Sequence, residues 1–151
     1  MKYLIYIILF IFIQACSPKE EIITKVEGDS LRLQMIEAYN AGVEALEKSD
    51  VLYAAKKFNE AELLFPQSEW APKASLMSAY GYWTQGYYSD SINELKRFLK
   101  VYPKNNNLDY AYYLLAMNYY DSIIDEKKDL NPLTEAKRYF EFLLINYPET
   151  D

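Results

Sequence analysis

The sequence has no histidine, one cysteine and only four glycines among its 151 residues. The missing histidine removes the commonest general base and the commonest metal ligand. A single cysteine, Cys16, cannot form an internal disulfide or a thiolate cluster. Scarce glycine also argues against a Gly-rich loop that cradles phosphate. We therefore expect neither a metal nor a cofactor.

Charge is one-sided as well, with 22 acidic against 16 basic residues and a formal net charge of −6. Without a Lys/Arg cluster, such a chain lacks the electrostatic footprint of nucleic-acid binding. The candidate catalytic groups are carboxylates that lie close together in the sequence: Glu60 with Glu62, and Asp121 with Asp125 and Glu126. Carboxylate pairs can perform acid–base chemistry. On helix faces and loops they are usually solvated charge, so we expect no enzyme.

Residues 1–15 have the pattern of a secretory signal peptide. Lys2 gives a positive start, and an uncharged apolar run follows from Tyr3 to Ile13. A transmembrane helix needs roughly 20 apolar residues, and this run is about half that length. The segment therefore predicts export of the chain rather than a membrane span.

A lone cysteine follows the apolar run directly. The sequence Ile-Gln-Ala-Cys at residues 13–16 resembles the bacterial lipobox, although Gln14 replaces the small residue usually found there. The resemblance implies that Cys16 is acylated, becomes the new N-terminus and anchors the protein in a membrane. Ser17, rather than aspartate, follows the cysteine. By resemblance to lipoprotein sorting in Gram-negative bacteria, this favours the outer membrane, on its periplasmic side.

Residues 16–30 combine the acylated cysteine with a polar, charged segment that contains Pro18 and Gly28. We interpret this segment as a flexible tether. The first helix is accordingly predicted to begin near residue 31.

Aromatic–proline pairs recur at the ends of three amphipathic runs, at Phe65-Pro66, Tyr102-Pro103 and Tyr147-Pro148. Proline cannot continue a helix, so each pair marks a helix end. The first two prolines are 37 residues apart and the last two are 45 apart. The tetratricopeptide unit has about 34 residues and a proline at its end. A three-residue linker accounts for the first spacing, and an insertion of about eight residues near residues 125–130 accounts for the second.

The residues before each proline match the small and large positions of the tetratricopeptide pattern. The matches are Gly42, Ala45, Ala54, Phe58 and Ala61; then Ala79, Tyr82, Ser91, Leu95 and Phe98; then Ala116, Ala136, Phe140 and Leu143. Gly86 supplies a break between two helices.

The predicted fold is all-α: a right-handed tetratricopeptide solenoid of about three helical hairpins across residues 31–151. The repeats are predicted at about 31–67, 69–104 and 107–148. The helices are predicted at about 31–48, 51–65, 69–85, 88–101, 107–124 and 132–146. Solenoids normally end in a polar capping helix, and none follows the third repeat. We therefore expect either a C-terminally truncated fragment of a longer protein or a partner that covers this end.

In such stacks the first helix of each hairpin lines a concave groove. The groove residues predicted from pattern positions are Tyr39, Leu46, Leu76, Tyr80, Trp83, Tyr110, Tyr113, Met117 and Tyr120. This stripe is aromatic and carries little charge, as protein-binding surfaces often do. The competing interpretation is that stacking buries most of these rings. Lys73, at the groove edge, is positioned to meet the terminal carboxylate of a peptide.

A lipobox, a short tether and tetratricopeptide repeats together resemble the BamD family, the lipoproteins of the outer-membrane β-barrel assembly machine. The segment at residues 107–113, with Asp109-Tyr110, resembles the element that opens the third repeat of that family. The resemblance implies partners: the POTRA domains of a BamA-type barrel protein, other lipoproteins of the machine, and unfolded outer-membrane proteins. It also implies that the N-terminal repeats receive the substrate's C-terminal signal, which ends in an aromatic residue.

Two other classes of binding protein fit the same features. One is a tetratricopeptide lipoprotein that pilots secretin or pilus assembly, and the other is a cell-envelope scaffold. Both share the lipobox and the repeats, so the Asp109-Tyr110 element and the third-repeat insertion favour BamD. Co-purification with a BamA-type barrel protein separates these alternatives.

Overall fold

The computed structural model describes residues 21–124 and 129–149, with side chains described from residue 28 onward. The chain divides into two units, residues 1–31 and 32–151, and the second unit contains the hairpins. The described ranges form six helices: α1 (Glu21–Glu47), α2 (Val51–Leu64), α3 (Trp70–Thr84), α4 (Tyr88–Val101), α5 (Leu108–Asp121) and α6 (Asn131–Asn146). The signal peptide, Cys16 and most of the third-repeat insertion lie outside these residues.

The described helices α2, α3, α4 and α6 begin and end within one residue of their predicted bounds, and the all-α prediction is confirmed. None of the helices in the described ranges has the length and apolar character needed to cross a membrane.

Two predicted boundaries are wrong. The first helix begins at Glu21 instead of near residue 31, so residues 21–30, which we interpreted as part of a flexible tether, are helical. Glu21, Lys25 and Glu27 of this stretch favour a helix, and a glycine inside a helix costs only about 1 kcal/mol. Helix α5 ends at Asp121, short of the predicted residue 124. The Ser122 hydroxyl donates to the Tyr119 carbonyl at 2.8 Å, a local bond that competes with further helix.

The aromatic–proline pairs end helices as predicted. Phe65, Tyr102 and Tyr147 are the C-terminal caps of α2, α4 and α6, with ψ angles of 69°, 54° and 56°. The following proline ring disfavours the helical region for the residue before it, so each aromatic residue leaves the helix there. The pairs thus divide the second unit into three hairpins.

Each turn within the first two hairpins contains a residue whose backbone has a positive φ angle, in the left-handed region. Gly86, between α3 and α4, has a φ of 77°, which confirms the predicted break because glycine enters this region without a Cβ penalty. In the turn between α1 and α2, Ser49 has a φ of 59°. The Asp50 side chain then caps α2 by accepting the backbone N–H of Tyr53 at 3.2 Å.

Within the first two hairpins, small residues let the paired helices approach closely. A Cβ built at Gly42 of α1 would lie 2.8 Å from Cε1 of Phe58 in α2, closer than side chains pack. In the second hairpin, the Ser91 hydroxyl of α4 donates to the Ala79 carbonyl of α3 at 2.7 Å. Both contacts fall at positions where the repeat pattern places small residues, so the pattern's prediction of close helix crossings is confirmed.

A small residue also lets the first helices of neighbouring hairpins approach closely. A Cβ built at Gly81 of α3 would lie 2.7 Å from Cδ2 of Leu46 in α1. Helix α3 also packs on α2 and on α5, and α5 packs on α4. Each hairpin therefore buries an apolar face on the next one, as a solenoid requires.

A partly buried ion pair also joins the first two hairpins. Glu62 of α2 is 6% exposed, and both of its carboxylate oxygens accept from the Arg97 guanidinium of α4, at 2.8 and 2.6 Å. Arg97 also donates to Ser75 of α3 at 3.0 Å, and the Tyr102 hydroxyl donates to Glu62 at 2.6 Å. The expectation that the Glu60/Glu62 pair is solvated charge is thus wrong for Glu62. Burial and the Glu62 carboxylate hold the pKa of Tyr102 well above its usual range.

We predict that Gly42→Ala lowers the free energy of unfolding by about 1–3 kcal/mol, as overpacking of a core does. The new methyl group would meet the ring of Phe58, which is fully buried and cannot move aside. Gly81→Ala is the matched control. It meets the end of the half-buried Leu46 side chain, which can rotate, and it gains about 1 kcal/mol of helix propensity. Chemical denaturation of the full chain measures both, and equal losses would contradict this account.

We predict that Arg97→Met destabilises the protein by about 2–3 kcal/mol, less than the roughly 3–5 kcal/mol of a fully buried pair because water reaches Arg97. The variant leaves the Glu62 carboxylate buried without a counterion, with only Tyr102 still donating to it. The double variant Glu62→Met/Arg97→Met removes the stranded charge and should regain most of the loss. A double variant as unstable as Arg97→Met would rule out the stranded charge as the cause.

Candidate functional site

The first helices of the hairpins meet around a small cavity of about 290 Å³. Its lining residues are Tyr39, Lys73, Leu76, Met77, Tyr80, Asn107 and Tyr110. Four of these, Tyr39, Leu76, Tyr80 and Tyr110, belong to the groove predicted from sequence. Helices α1, α3 and α5 each contribute at least one ring or apolar side chain, so all three hairpins together form the cavity.

Ring contacts fix the aromatic walls. Tyr39 makes edge contacts with Phe58 and Trp70, with ring centroids 5.4 and 5.2 Å apart. The rings of Tyr80 and Trp83 lie 5.8 Å apart. These separations are in the range of about 4.5–7 Å that aromatic pairs prefer. The rings of Tyr39 and Tyr80 are therefore held in place by packing against neighbouring rings.

The phenol groups of Tyr39 and Tyr110 remain neutral donors near neutral pH. Burial raises the pKa of the Tyr39 hydroxyl above its ordinary value. Burial also raises the pKa of Tyr110, with smaller contributions from the neighbouring phenols of Tyr80 and Tyr113. Each wall ring thus offers an apolar face together with a hydroxyl that can bind a polar group.

The other predicted groove residues lie outside this cavity. Leu46 packs against Gly81 in the crossing of α1 and α3. The Trp83 indole N–H donates to Asp121 at 2.8 Å, which ties the end of α3 to the end of α5. Met117 is half-buried and Tyr120 is 57% exposed, both on α5.

Tyr113 lines a second, larger cavity of about 830 Å³, and Tyr110 borders both cavities. The larger cavity lies between α5 and α6, where Phe140 and Leu143 form part of its wall. Counted from the repeat prolines, these two residues are equivalent to Phe58 and Ala61 of the first hairpin and to Leu95 and Phe98 of the second. Those four side chains are fully buried where the hairpins pack. The larger cavity thus occupies a packing surface of the repeat, and the smaller cavity is the candidate site.

Sequence reasoning missed Met77 and Asn107 as members of the cavity. Asn107 is the N-terminal cap of α5, one helical turn before Tyr110. The repeat pattern assigns groove positions only within the helices, so it does not predict that a cap residue such as Asn107 lines the cavity. Met77 lies directly after Leu76, and only the packing of α1 beside α3 shows that both border the cavity.

The acidic groups that suggested acid–base chemistry do not assemble into a site in the described residues. Glu62 is paired with Arg97, and Asp121 accepts from Trp83. Asp125 and Glu126 lie outside the described residues. Within the described ranges, no three His, Cys, Asp or Glu side chains are grouped so that they could hold a metal ion.

Comparison with known proteins gives a consistent family assignment. The family model described as "YfiO: Outer membrane lipoprotein" matches residues 32–151. A protein of Caulobacter vibrioides named "Outer membrane protein assembly factor BamD" is 30% identical over 113 residues, which cover 75% of this chain and 37% of that protein. A Rickettsia prowazekii protein of the same name is 30% identical over 127 residues, covering 84% of this chain and 51% of the relative.

A third relative with this name, from Xylella fastidiosa, is 24% identical over 151 residues, and the match covers 50% of that protein. This chain therefore spans about half, or less, of the length of these curated relatives. Their names describe assembly factors, which favours a non-enzymatic role. The resemblance to BamD is confirmed, and the chain belongs to the YfiO family of outer membrane lipoproteins.

Proposed function

We propose that this protein is a lipid-anchored outer-membrane subunit of the β-barrel assembly machine. In this role it binds partner subunits and the C-terminal signal of unfolded outer-membrane proteins, and so promotes their folding and insertion. The family match over residues 32–151 supports an outer-membrane lipoprotein, and the relatives named as assembly factors support the assembly role. The observation that carries substrate binding is the cavity in which rings from three hairpins converge.

The cavity suits a peptide segment that ends in an aromatic residue. Its wall is mostly aromatic and aliphatic, from Tyr39, Leu76, Tyr80 and Tyr110. An incoming ring gains apolar burial together with edge or offset contacts to the tyrosines. A rigid pocket with a few polar groups is the usual form of a small binding site. Binding of this kind requires no chemical step, so the proposed role includes no catalysis.

The proposed partners are a BamA-type barrel protein, through its POTRA domains, and the other lipoproteins of the machine. The resemblance to BamD implies that the BamA contact depends mainly on later repeats of the family. We assign no residue of this chain to that contact. Relatives named as assembly factors favour this role over piloting of secretin or pilus assembly.

Aromatic truncation tests the proposed peptide site. We predict that Tyr110→Ala weakens binding of a ten-residue peptide that ends in phenylalanine by about 5- to 150-fold, as loss of an aromatic anchor typically does. Tyr53→Ala is the matched control, because Tyr53 is similarly exposed (46% against 40%) and does not line the cavity. Fluorescence anisotropy with the full chain in detergent measures the affinity. If both variants bind like the unaltered protein, the cavity is not the peptide site.

Lipidation is proposed at Cys16, the chain's single cysteine. Acyl chains contribute about 0.8 kcal/mol per buried methylene, so two or three of them anchor a protein durably. We predict that mass spectrometry finds an acylated Cys16 at the mature N-terminus, and that the protein fractionates with outer membranes. Cys16→Ser should move the protein out of the membrane fraction. An unmodified Cys16 in mature protein from intact cells would refute the anchor without affecting the repeat fold.

A further inference from the structure

Arg97 joins three helices through one guanidinium group. From its place on α4 it donates to both carboxylate oxygens of Glu62 on α2, at 2.8 and 2.6 Å, and to the Ser75 hydroxyl of α3 at 3.0 Å. Two further bonds, at 3.0 and 2.9 Å, reach Glu94 one turn earlier on α4 and hold the side chain from that side. A planar guanidinium makes such a set of bonds only in a fixed geometry. Arg97 therefore orients α2 and α3 relative to α4.

The bond to Ser75 holds α3 on the side opposite the small cavity. Four of the residues that line the cavity, Lys73, Leu76, Met77 and Tyr80, belong to α3. At about 100° per residue these four share one face of the helix, and the fully buried Ser75 falls on the far side. A rotation or shift of α3 at Ser75 would therefore move most of the cavity wall at once.

The equivalent positions between the second and third hairpins, counted by repeat position, are apolar or aromatic. They are Leu99 for Glu62, Tyr112 for Ser75, Phe142 for Arg97 and Tyr147 for Tyr102. The three rings contact one another, with centroids 4.5, 6.2 and 6.3 Å apart. Apolar groups can thus fill these positions of the repeat, and replacing a buried ion pair by such groups is often no less stable. What the ion pair adds to the first interface is a single orientation.

We propose that Arg97 is a positioning residue for the small cavity. Its bonds to Glu62 and Ser75 fix the orientation of α3 against the first hairpin, and this orientation sets the gap between Tyr39 of α1 and the α3 wall. Arg97 acts from outside the cavity, through the helices that carry its wall. The inference rests on the proposed function, because it assumes that the peptide signal binds in this cavity.

The double variant Glu62→Met/Arg97→Met separates positioning from stability. It removes the directional bonds without stranding a charge, so it should keep most of the stability of the unaltered protein. We expect its affinity for a ten-residue peptide that ends in phenylalanine to fall by about 2- to 30-fold, the range found for residues coupled to a distant site. Arg97→Lys should also lose affinity, because an ammonium group keeps the charge but not the fork. Chemical denaturation measures stability, and fluorescence anisotropy with the full chain in detergent measures affinity.

Glu135→Met/Arg138→Met is the matched control. This pair also has two bonds between a guanidinium and a carboxylate, at 3.2 and 2.6 Å, but both residues lie on α6, three positions apart. Its removal leaves the orientation of α3 unchanged. The control should therefore bind the peptide as tightly as the unaltered protein, which excludes a general effect of removing one ion pair.

Trp70 gives a direct measure of the interface. Its ring, on α3, lies 5.2 Å from the ring of Tyr39 on α1. The chain has two tryptophans, so a Trp83→Phe background isolates the emission of Trp70. In that background and without peptide, Glu62→Met/Arg97→Met should shift the emission to longer wavelength, because Trp70 loses part of its packing. The control pair should leave the emission unchanged.

The outcomes separate the inference from the proposed function. If the double variant binds the peptide as tightly as the unaltered protein, or if the Trp70 emission does not shift, Arg97 does not position the cavity, although the proposed peptide site stands. If Arg97→Met loses affinity and the double variant regains it, the ion pair acts through stability alone and the assignment is overturned. If the unaltered protein does not bind the peptide, the proposed function fails, and the role of Arg97 fails with it.

Discussion

Close approach of helix backbones is the constraint on which the rest of this structure depends. Gly42 faces the ring of Phe58 within the first hairpin, where a Cβ would meet a fully buried ring, and Gly81 faces the end of the Leu46 side chain between the first two hairpins. A hairpin of two amphipathic helices cannot bury both of its apolar faces alone, so its neighbour must lie close against it. These crossings bring α1 and α3 side by side, and the cavity forms where they adjoin α5.

The ion pair between Glu62 and Arg97 joins the same two hairpins through their second helices. Glu62 and Arg97 lie on α2 and α4, the second helices of their hairpins, and Ser75 of α3 shares the guanidinium. A buried pair of this kind contributes little net stability, because desolvation offsets its attraction. Its geometric demand is strict, however, since both carboxylate oxygens and the guanidinium fork must align. We regard it as a constraint on how the first two hairpins stack.

Much of the fold could be predicted from the sequence because its signals are local. Pro66, Pro103 and Pro148 mark helix ends because each follows a complete helical run, whereas Pro72 and Pro132 lie in the first turns of their helices, where proline is tolerated. Gly86 opens a turn because glycine enters the left-handed region without a Cβ penalty. The pairing of Glu62 with Arg97 joins residues 35 positions apart, and periodicity carries no information about such a contact. The start of α1 at Glu21 could not be predicted for a related reason: polar residues with Pro18 and Gly28 nearby resemble a linker, although Glu21, Lys25 and Glu27 favour a helix.

The candidate site shows the same division between local and long-range information. Tyr39, Leu76, Tyr80 and Tyr110 could be predicted, because each occupies an inward position of a repeated helix. Which of the nine predicted residues converge could not, since convergence depends on the angle at which the hairpins stack. Stacking buries Leu95 and Leu114 completely, whereas Tyr110 packs at the same stack and stays 40% exposed. The tyrosine content that lets neighbouring hairpins pack therefore also leaves partly exposed ring faces beside Lys73, and one set of contacts produces both the stack and the pocket.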